Sequence, residues 1–155
     1  MLFYFLKSEF CTFVQNFLIM EETLESWIEK TTTRQFKAIF PETLNANGTL
    51  FGGEAMRWMD EVAYITATRF TKQRMFTVST DKVKFLRAVT PGYIAEVVGR
   101  VEKAECVKLT VKLEIFMEDM YSMEREKAIE ATFVFAMLDE NRRPKRIVYP
   151  FDFKI

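Results

Sequence analysis

The sequence predicts an α+β domain in which a curved antiparallel sheet wraps around one long central helix. Residues 51–70 show helical spacing of apolar side chains and contain no proline. One strand-like stretch precedes this segment and four follow it. Apolar residues occupy most of the helix circumference, so the helix must be covered on nearly all sides. A sheet that curls around the helix provides that cover.

The first twenty residues are strongly apolar, yet they fit neither a membrane span nor a signal peptide. The longest unbroken apolar run, Met1–Leu6, is far shorter than the ~20 residues that cross a bilayer. A basic leader and a small-residue cleavage site are missing. Two interpretations stay open: a helix docked on the domain, or a translation extension ahead of a true start at Met20. We therefore expect a cytoplasmic protein without a membrane span.

The domain boundaries follow from the position of the first strand. Residues 1–33 are predicted to be an N-terminal extension with short helices, one of them amphipathic over Glu21–Lys30. Residues 34–149 form a single domain, because the chain length suits one domain rather than two. Residues 150–155 are a C-terminal tail.

The remaining elements follow in order along the chain. The first strand, Arg34–Phe40, ends at Pro41, and Asn47-Gly48 marks a turn in the loop before the helix. The apolar pattern changes phase near Thr80, which predicts a β-bulge there. After the helix, the predicted strands are Met75–Phe85, Tyr93–Glu102, Val107–Met117 and Ile129–Leu138, with a charged connection over Glu118–Lys127 and a basic tail over Arg142–Arg146.

The composition excludes several classes of function. Lys+Arg and Asp+Glu are balanced at 22 each, which speaks against a nucleic-acid-binding surface. The chain has no histidine, and this excludes Ser-His-Asp and Cys-His catalysis and histidine-ligated zinc. Cys11 and Cys106 form neither a metal motif nor a disulfide framework, and we interpret them as free buried thiols in a reducing compartment. Any catalysis must use carboxylates, amides, hydroxyls, amines or the backbone.

Asp60 is the carboxylate that stands out on the predicted helix. The other polar residues share one narrow arc, whereas Asp60 falls at the edge of the apolar region. A carboxylate there is partly desolvated, so it needs a hydrogen-bonding or charged partner or has a functional role. Spacing alone favours a structural role, an ion pair with Arg57 or a hydrogen bond with Tyr64.

Gly52 and Gly53 lie where the helix begins. A helix N-terminus offers unpaired N–H groups and the positive end of a dipole, and residues without side chains let a carbonyl or an oxyanion approach. Tight packing is the alternative explanation for the two glycines. In the preceding loop, Asn45 and Asn47 are typical turn residues, and Asn47 before Gly48 is interpreted as a turn only.

The segment from Pro41 to Asp60, PETLNANGTLFGGEAMRWMD, resembles the acyl-CoA thioester hydrolases of the hotdog fold, in particular their single-domain bacterial type related to brain acyl-CoA hydrolase. The shared pattern is Asn-x-x-Gly-x-x-Phe-Gly-Gly followed by a helix that carries Met-Asp. A second block, FTVSTDKVKF over residues 76–85, is similar to the family's following strand pair. The resemblance implies a curved antiparallel sheet around a long helix, self-association as a dimer and often a trimer of dimers, and an active site between subunits.

The resemblance also implies residue roles and a reaction. Asp60 would be the catalytic carboxylate, as general base or as nucleophile, and Asn45 would orient water or the thioester from the opposite subunit. The N–H of Gly53, with Gly52, would polarise the thioester carbonyl. Phe51, Lys84 and Arg87 are candidates for contacting coenzyme A. The reaction would convert acyl-CoA and water to a fatty acid and free CoA, with no metal and no cofactor beyond the CoA of the substrate.

Two non-enzymatic alternatives remain beside this function. A sensor of acyl-CoA on the same fold would be expected to lose the Asn45 and Asp60 pair and to carry a DNA-binding extension, whereas both residues are present and the N-terminal segment is not basic. An oligomeric scaffold with a relic site is the other. A hotdog dehydratase is excluded, because those enzymes use a catalytic histidine.

Overall fold

The computed structural model describes residues 23–150, and in them one long helix packs across one face of an antiparallel sheet. The sheet order is β1-β3-β4-β5-β2, with the short β6 paired to β5. A 3-10 turn lies at Pro41–Thr43. The helices are α1 (Leu24–Thr31) and α2 (Gly52–Thr71), and the strands are β1 (Thr33–Ala38), β2 (Phe76–Phe85), β3 (Tyr93–Ala104), β4 (Leu109–Asp119), β5 (Arg125–Leu138) and β6 (Pro144–Lys145).

The predicted order of one strand, one long helix and four strands is confirmed, with shifted boundaries. The largest shift is in β5, which begins at Arg125 rather than Ile129, so that half of the charged connection belongs to β4 and β5. Arg125 and Lys127 pair in register with Glu118 and Phe116 of β4, because alternate positions of these strands face outward and tolerate charge. The basic tail also contains β6, which sequence reasoning missed.

The predicted bulge in β2 exists, but as two irregularities on either side of Thr80. The register against β5 shifts between Thr77 and Ser79 and again between Asp81 and Lys84. The second shift contains Lys82, whose φ is 54°. The change of apolar phase was therefore interpreted correctly, although the extra residues lie beside Thr80 and not at it.

The core lies between α2 and the alternating inner positions of the strands. Met59, Val62 and Phe70 of the helix are fully buried. The inner side chains that face them include Val97, Val101, Val111, Leu113, Ile115, Phe133 and Phe135. At Gly99 the helix and sheet approach closely, since a Cβ there would lie 2.6 Å from the Thr66 hydroxyl oxygen. Glycine at this position lets α2 lie flat on β3.

Helix α1 extends this core at its edge, which confirms the amphipathic helix predicted around it. Thr23 caps the helix by accepting from the Ser26 N–H at 3.1 Å. Trp27 and Ile28 are buried, and Trp27 Nε1 donates to the Phe70 carbonyl oxygen at 2.9 Å. Within residues 23–150, no helix is long and apolar enough to cross a membrane. The interpretations of the apolar first twenty residues fall outside the described part of the chain and stay predictions.

Two expectations about burial are wrong for this single chain. Helix α2 is not covered on nearly all sides, because Arg57, Asp60, Glu61 and Tyr64 form an exposed stripe at helical spacing. Cys106 is a free thiol, as expected, but it is exposed rather than buried, because it lies in the turn between β3 and β4.

Beside this stripe, the edge strand β2 exposes apolar side chains along its whole length. Phe76, Val78 and Phe85 are 37%, 54% and 57% exposed. One side of the strand pairs with β5, and along the other side no strand of residues 23–150 pairs with it, so it is the free edge of the described sheet. A long, apolar, unpaired edge is typical of a surface that pairs with another chain.

The outer face of the sheet holds one buried carboxylate, Glu96 of β3. It accepts hydrogen bonds from Arg34 at 2.7 Å and from Arg125 at 2.5 Å, and the Arg125 guanidinium also lies 3.7 Å from the Phe116 ring centroid. Burial by itself would raise the pKa of Glu96, but the hydrogen bonds from Arg125 and Arg34 outweigh it and hold the pKa below its usual value. The trio connects β1, β3 and β5 across the outer face.

Replacing Glu96 with Gln tests this trio, because it removes the charge and keeps the shape. The pKa of Glu96 is lower in the folded protein than in the unfolded chain, where it is 4.5. The ionised carboxylate therefore stabilises the fold at pH values above 4.5, and this stabilisation is lost as the pH falls through the folded-state pKa. We expect Glu96→Gln to lower the free energy of unfolding by about 1–3 kcal/mol near neutral pH. In denaturant titrations the deficit should shrink as the pH is lowered below 4.5. A deficit that stays the same across this range would contradict the assignment.

Candidate active site

The beginning of α2 presents three backbone donors without intrahelical acceptors. The Phe51 N–H donates to the Thr43 carbonyl oxygen at 2.9 Å, and the first intrahelical bond runs from Ala55 to the Phe51 carbonyl oxygen at 3.0 Å. The N–H groups of Gly52, Gly53 and Glu54 therefore point out of the helix end. Phe51 has no side-chain oxygen with which to cap them. Together with the helix dipole they form a positive site that suits a negatively charged oxygen.

The negative charge nearest to this helix end is already neutralised. Glu54, in the first turn, accepts two hydrogen bonds from Arg57, at 3.1 and 2.5 Å. These bonds hold the pKa of Glu54 below its usual value. An ionised Glu54 alone would oppose an oxyanion at Gly53, and the neighbouring guanidinium offsets that repulsion.

Asn45 organises the loop that leads to the helix. Its Oδ1 accepts from the N–H groups of Asn47 at 2.8 Å and Thr49 at 3.3 Å, and its Nδ2 donates to the Thr49 hydroxyl at 2.9 Å. Gly48, with φ of 73°, completes the turn, which confirms the interpretation of Asn47-Gly48. Because Nδ2 carries two hydrogens, Asn45 retains one that can donate to a ligand.

A pocket of about 320 Å³ joins this loop to the helix end. Asn45, Gly52, Phe85 and Arg87 are among its lining residues, and Arg87 pairs with Glu126 at 2.6 Å. The structure thus brings Asn45, Gly52 and Arg87 together in the lining of one pocket.

Phe51 and Lys84 lie outside the lining of this pocket. The Phe51 ring is half exposed and lies against Gly53, where an added Cβ would be 2.5 Å from its Cε1. Lys84 does not line the pocket. It pairs with Glu130 at 3.0 Å, and hydrogen bonds from Lys127 and Lys84 lower the pKa of Glu130 to about 2.

Asp60 lies elsewhere on α2 and is exposed, so the expectation of partial desolvation is wrong for the single chain. Helical spacing suggested Arg57 or Tyr64 as the partner of Asp60, and neither residue binds it. Arg57 binds Glu54, and Asp60 Oδ1 instead accepts from the hydroxyl of Thr77 on β2, at 3.3 Å. Sequence reasoning missed Thr77, because only the packing of β2 beside the helix brings it to Asp60.

Within one chain, Asp60 is separate from the other candidate residues. It follows Gly52 by eight residues, a distance of about 12 Å along the helix axis. It does not line the pocket that holds Asn45. Among residues 23–150, no group of three or more Cys, Asp or Glu side chains is placed to hold a metal ion. The candidate site is thus divided into two halves, one at the helix N-terminus and one two turns further on.

The sequence profile of the thioesterase superfamily matches residues 47–124, half of the chain, from the turn before α2 to the residue before β5. The chain belongs to the thioesterase superfamily. An acyl-CoA thioester hydrolase of Zymomonas mobilis, itself uncharacterised, is 31% identical over 107 residues, which are 69% of this chain and 72% of that one. The fold of this superfamily member is the hotdog fold, an antiparallel sheet with a long central helix.

Solved structures share this fold. An acyl-CoA hydrolase of Staphylococcus aureus, solved with butyryl-CoA, CoA and CoA disulfide, is 29% identical, with a TM-score of 0.72 over 79% of this chain and 74% of that one. A hexameric thioesterase of Yersinia pestis is 27% identical, with a TM-score of 0.67 over 74% of this chain and 94% of that one. The Staphylococcus aureus hydrolase has also been solved with alanine in place of an asparagine, of an aspartate fifteen residues later, or of a threonine seventeen residues after that aspartate.

The two glycines at the start of α2 provide a test of the local packing. Alanine favours a helix over glycine by about 1 kcal/mol, but at position 53 its Cβ would displace the Phe51 ring. At position 52 the nearest atom, Phe85 Cζ, lies at 3.4 Å, an ordinary contact. We expect the free energy of unfolding of Gly52→Ala to exceed that of Gly53→Ala by about 1 kcal/mol in denaturant titrations. Equal values would show that Phe51 does not restrict position 53.

Proposed function

We propose that the protein is an acyl-CoA thioesterase that hydrolyses acyl-CoA to a fatty acid and free CoA, with each active site formed between two subunits. The observation that carries this proposal is the division of the site. A member of the thioesterase superfamily presents oxyanion donors and Asn45 at the start of α2, and a carboxylate about 12 Å further along the same helix. A second copy of the chain supplies the missing half.

The assembly proposed for this site is a dimer that pairs through the free edge of β2. Pairing would cover the exposed side chains of Phe76, Val78 and Phe85 and continue the sheet across the two subunits. Two-fold symmetry makes the two α2 helices antiparallel neighbours and brings Asp60 of one subunit towards Gly53 of the partner subunit. The hexameric relative supports a further assembly of three such dimers.

The chemistry needs no group beyond these side chains and water. The thioester carbonyl would accept hydrogen bonds from the Gly53 and Gly52 N–H groups, with Asn45 Nδ2 orienting the thioester or the attacking water. Asp60 of the other subunit either takes a proton from water as it attacks the carbonyl carbon, or attacks that carbon itself before water releases the acyl group. On the first route the tetrahedral intermediate collapses and the carbon–sulfur bond breaks. On the second route the carbon–sulfur bond breaks as an acyl–Asp60 anhydride forms, and water then hydrolyses that anhydride to the fatty acid. On both routes the CoA thiolate leaves and takes up a proton.

Thr77 is proposed as a positioning residue for Asp60. Its hydroxyl binds Oδ1, which leaves Oδ2 to face the substrate. Asn45, Asp60 and Thr77 have the same spacing, fifteen and seventeen residues, as the three residues replaced by alanine in the Staphylococcus aureus hydrolase.

Three residues are proposed to lie along the bound coenzyme A near the pocket. Arg87 lines the pocket itself, and the exposed ring of Phe51 flanks the oxyanion donors. Lys84 is the weaker of the two charged candidates, because both are paired with a glutamate but only Arg87 lines the pocket.

Thiol release from a panel of acyl-CoAs, from acetyl to palmitoyl, tests the function. The wild type should turn over at least part of the panel, and Asp60→Asn should lower kcat by a factor of about 10²–10⁴. The matched control is Glu61→Gln, which removes a neighbouring exposed carboxylate from the same helix and should leave kcat nearly unchanged.

Two outcomes would contradict the proposal. Unchanged turnover in Asp60→Asn would remove Asp60 from the chemistry. Binding of acyl-CoA by the wild type without turnover of any chain length would favour a non-enzymatic acyl-CoA sensor.

A further inference from the structure

One cation, Arg57, lies between two carboxylates on the exposed side of α2. Glu54 precedes it by three residues, and Asp60 follows it by three. Residues three apart are neighbours on a helix surface, about 4.5 Å apart along the axis, so the Arg57 side chain can reach either carboxylate. Glu54 belongs to the first turn, beside the proposed oxyanion donors, and Asp60 is the proposed catalytic carboxylate. The choice that Arg57 makes between them therefore sets the charge in both halves of the site.

The structure assigns the Arg57 guanidinium to Glu54. Arg57 Nε donates to Oε2 at 3.1 Å and Nη2 donates to Oε1 at 2.5 Å, so both oxygens of the carboxylate are engaged. A contact through two parallel hydrogen bonds fixes the orientation of the guanidinium as well as its distance. Within residues 23–150, Arg57 forms no hydrogen bond or ion pair with Asp60, which accepts from the Thr77 hydroxyl instead.

The direction of the helix favours Glu54 over Asp60. Side chains on an α-helix lean towards its N-terminus, so the Arg57 guanidinium lies over the turn that carries residue 54. Asp60 lies on the C-terminal side of Arg57, and its side chain is one methylene shorter than that of Glu54. An acidic residue that precedes a basic one is also the favourable order in the field of the helix dipole. This preference lasts only while residue 54 carries a negative charge.

Without Glu54, two other carboxylates on α2 are within reach of Arg57. Glu61 follows it by four residues, but Glu61 Oε1 accepts from Gln35 Nε2 of β1 at 3.4 Å, which directs that side chain towards β1. Asp60 Oδ1 accepts from Thr77, whereas Oδ2 accepts no hydrogen bond from the described residues. Asp60 is therefore the more open acceptor of the two.

The proposed dimer brings a second Asp60 towards the same guanidinium. If Asp60 of one subunit lies opposite Gly53 of the partner subunit, the two-fold axis crosses the helices midway between these positions, beside Arg57. A guanidinium released from Glu54 would then have Asp60 of either subunit within reach. Two such guanidinium groups would also face each other across the axis without their carboxylates.

We propose that Glu54 is a positioning residue that keeps the Arg57 guanidinium away from Asp60, so that the Asp60 carboxylate stays available to the thioester or to water; the inference rests on the proposed function. The pair acts in both directions, because Arg57 in turn offsets the charge of Glu54 beside the oxyanion donors. Hydrogen bonds from Arg57 hold the pKa of Glu54 below its usual value, so Glu54 stays ionised and retains Arg57. Each charge is harmful without the other.

The test variants are Glu54→Gln, Arg57→Gln and Glu54→Gln/Arg57→Gln, assayed by thiol release from an acyl-CoA. Glutamine at position 54 keeps an acceptor for Trp58, which also hydrogen-bonds Glu54. We expect each single variant to lower kcat about tenfold, with KM changed less than about twofold, because each leaves one uncompensated charge in the site. The double variant removes both charges, and its kcat should return to within about twofold of the wild type.

This rescue separates positioning from stabilisation of the helix. If the pair only stabilises α2, the double variant is no better than the single ones, because it also lacks the ion pair. The matched control is Lys103→Gln/Glu105→Gln, which removes an exposed ion pair of 2.8 Å far from α2 and should behave as the wild type. Native mass spectrometry verifies that every variant assembles as the wild type does.

Three kinetic results would overturn the proposal. The first is a double variant as slow as the slower single variant. The second is an unchanged or increased kcat in Glu54→Gln. The third is a rise in KM confined to the variants that lack Arg57, which would make Arg57 a contact of the substrate.

A crystal structure of Glu54→Gln keeps this test separate from the test of catalysis. We expect the Arg57 guanidinium to lie within about 4 Å of a carboxylate oxygen of Asp60, from its own or the partner subunit. This expectation holds even if the wild type hydrolyses nothing, in which case the proposed function fails and the role of Glu54 in placing Arg57 stands. A guanidinium bound to Glu61, or still directed at residue 54, would overturn the proposal.

Discussion

The burial of α2 against the sheet is the constraint on which the rest of the structure depends. One face of the helix lies on β3 and β4, where Gly99 permits a contact that any larger residue would prevent. Because the helix is rigid, the separation between its N-terminal donors and Asp60 is fixed at about 12 Å. Neither half of the site can move to the other within one chain. A single element therefore positions both the proposed oxyanion donors and the proposed catalytic carboxylate.

The exposed surface of the single chain follows from the same arrangement. Strand β2 lies at the edge of the sheet with its apolar side chains uncovered, and the stripe of α2 that carries Asp60 lies beside it. Thr77 belongs to this strand and binds Asp60, so the edge proposed to pair with a second copy also holds the carboxylate in place. In the proposed dimer, assembly and catalysis therefore depend on the same surface.

Much of the fold could be predicted from periodicity, because the inner faces of β3, β4 and β5 alternate cleanly and α2 has helical spacing over its full length. The boundaries near residue 125 were missed, since charged outward positions such as Lys127 look the same in a strand and in a loop. Asp60 and the two glycines of α2 could be selected from their places on the helix and from a family motif. The contact of Thr77 with Asp60 could not be predicted, because it depends on how two elements pack. The sequence predicts more burial of α2 than the single chain shows. An apolar pattern is the same whether the chain's own sheet or a second subunit covers the helix.

The measurement that tests the divided site most directly is complementation between two inactive variants. Asn45→Ala and Asp60→Ala are prepared with different tags, mixed under conditions that exchange subunits, and assayed after native mass spectrometry has verified mixed oligomers. If each site takes Asn45 from one subunit and Asp60 from the other, random exchange leaves about a quarter of the sites intact, and about a quarter of the wild-type activity returns. No return of activity in verified mixed oligomers would contradict an active site formed between subunits.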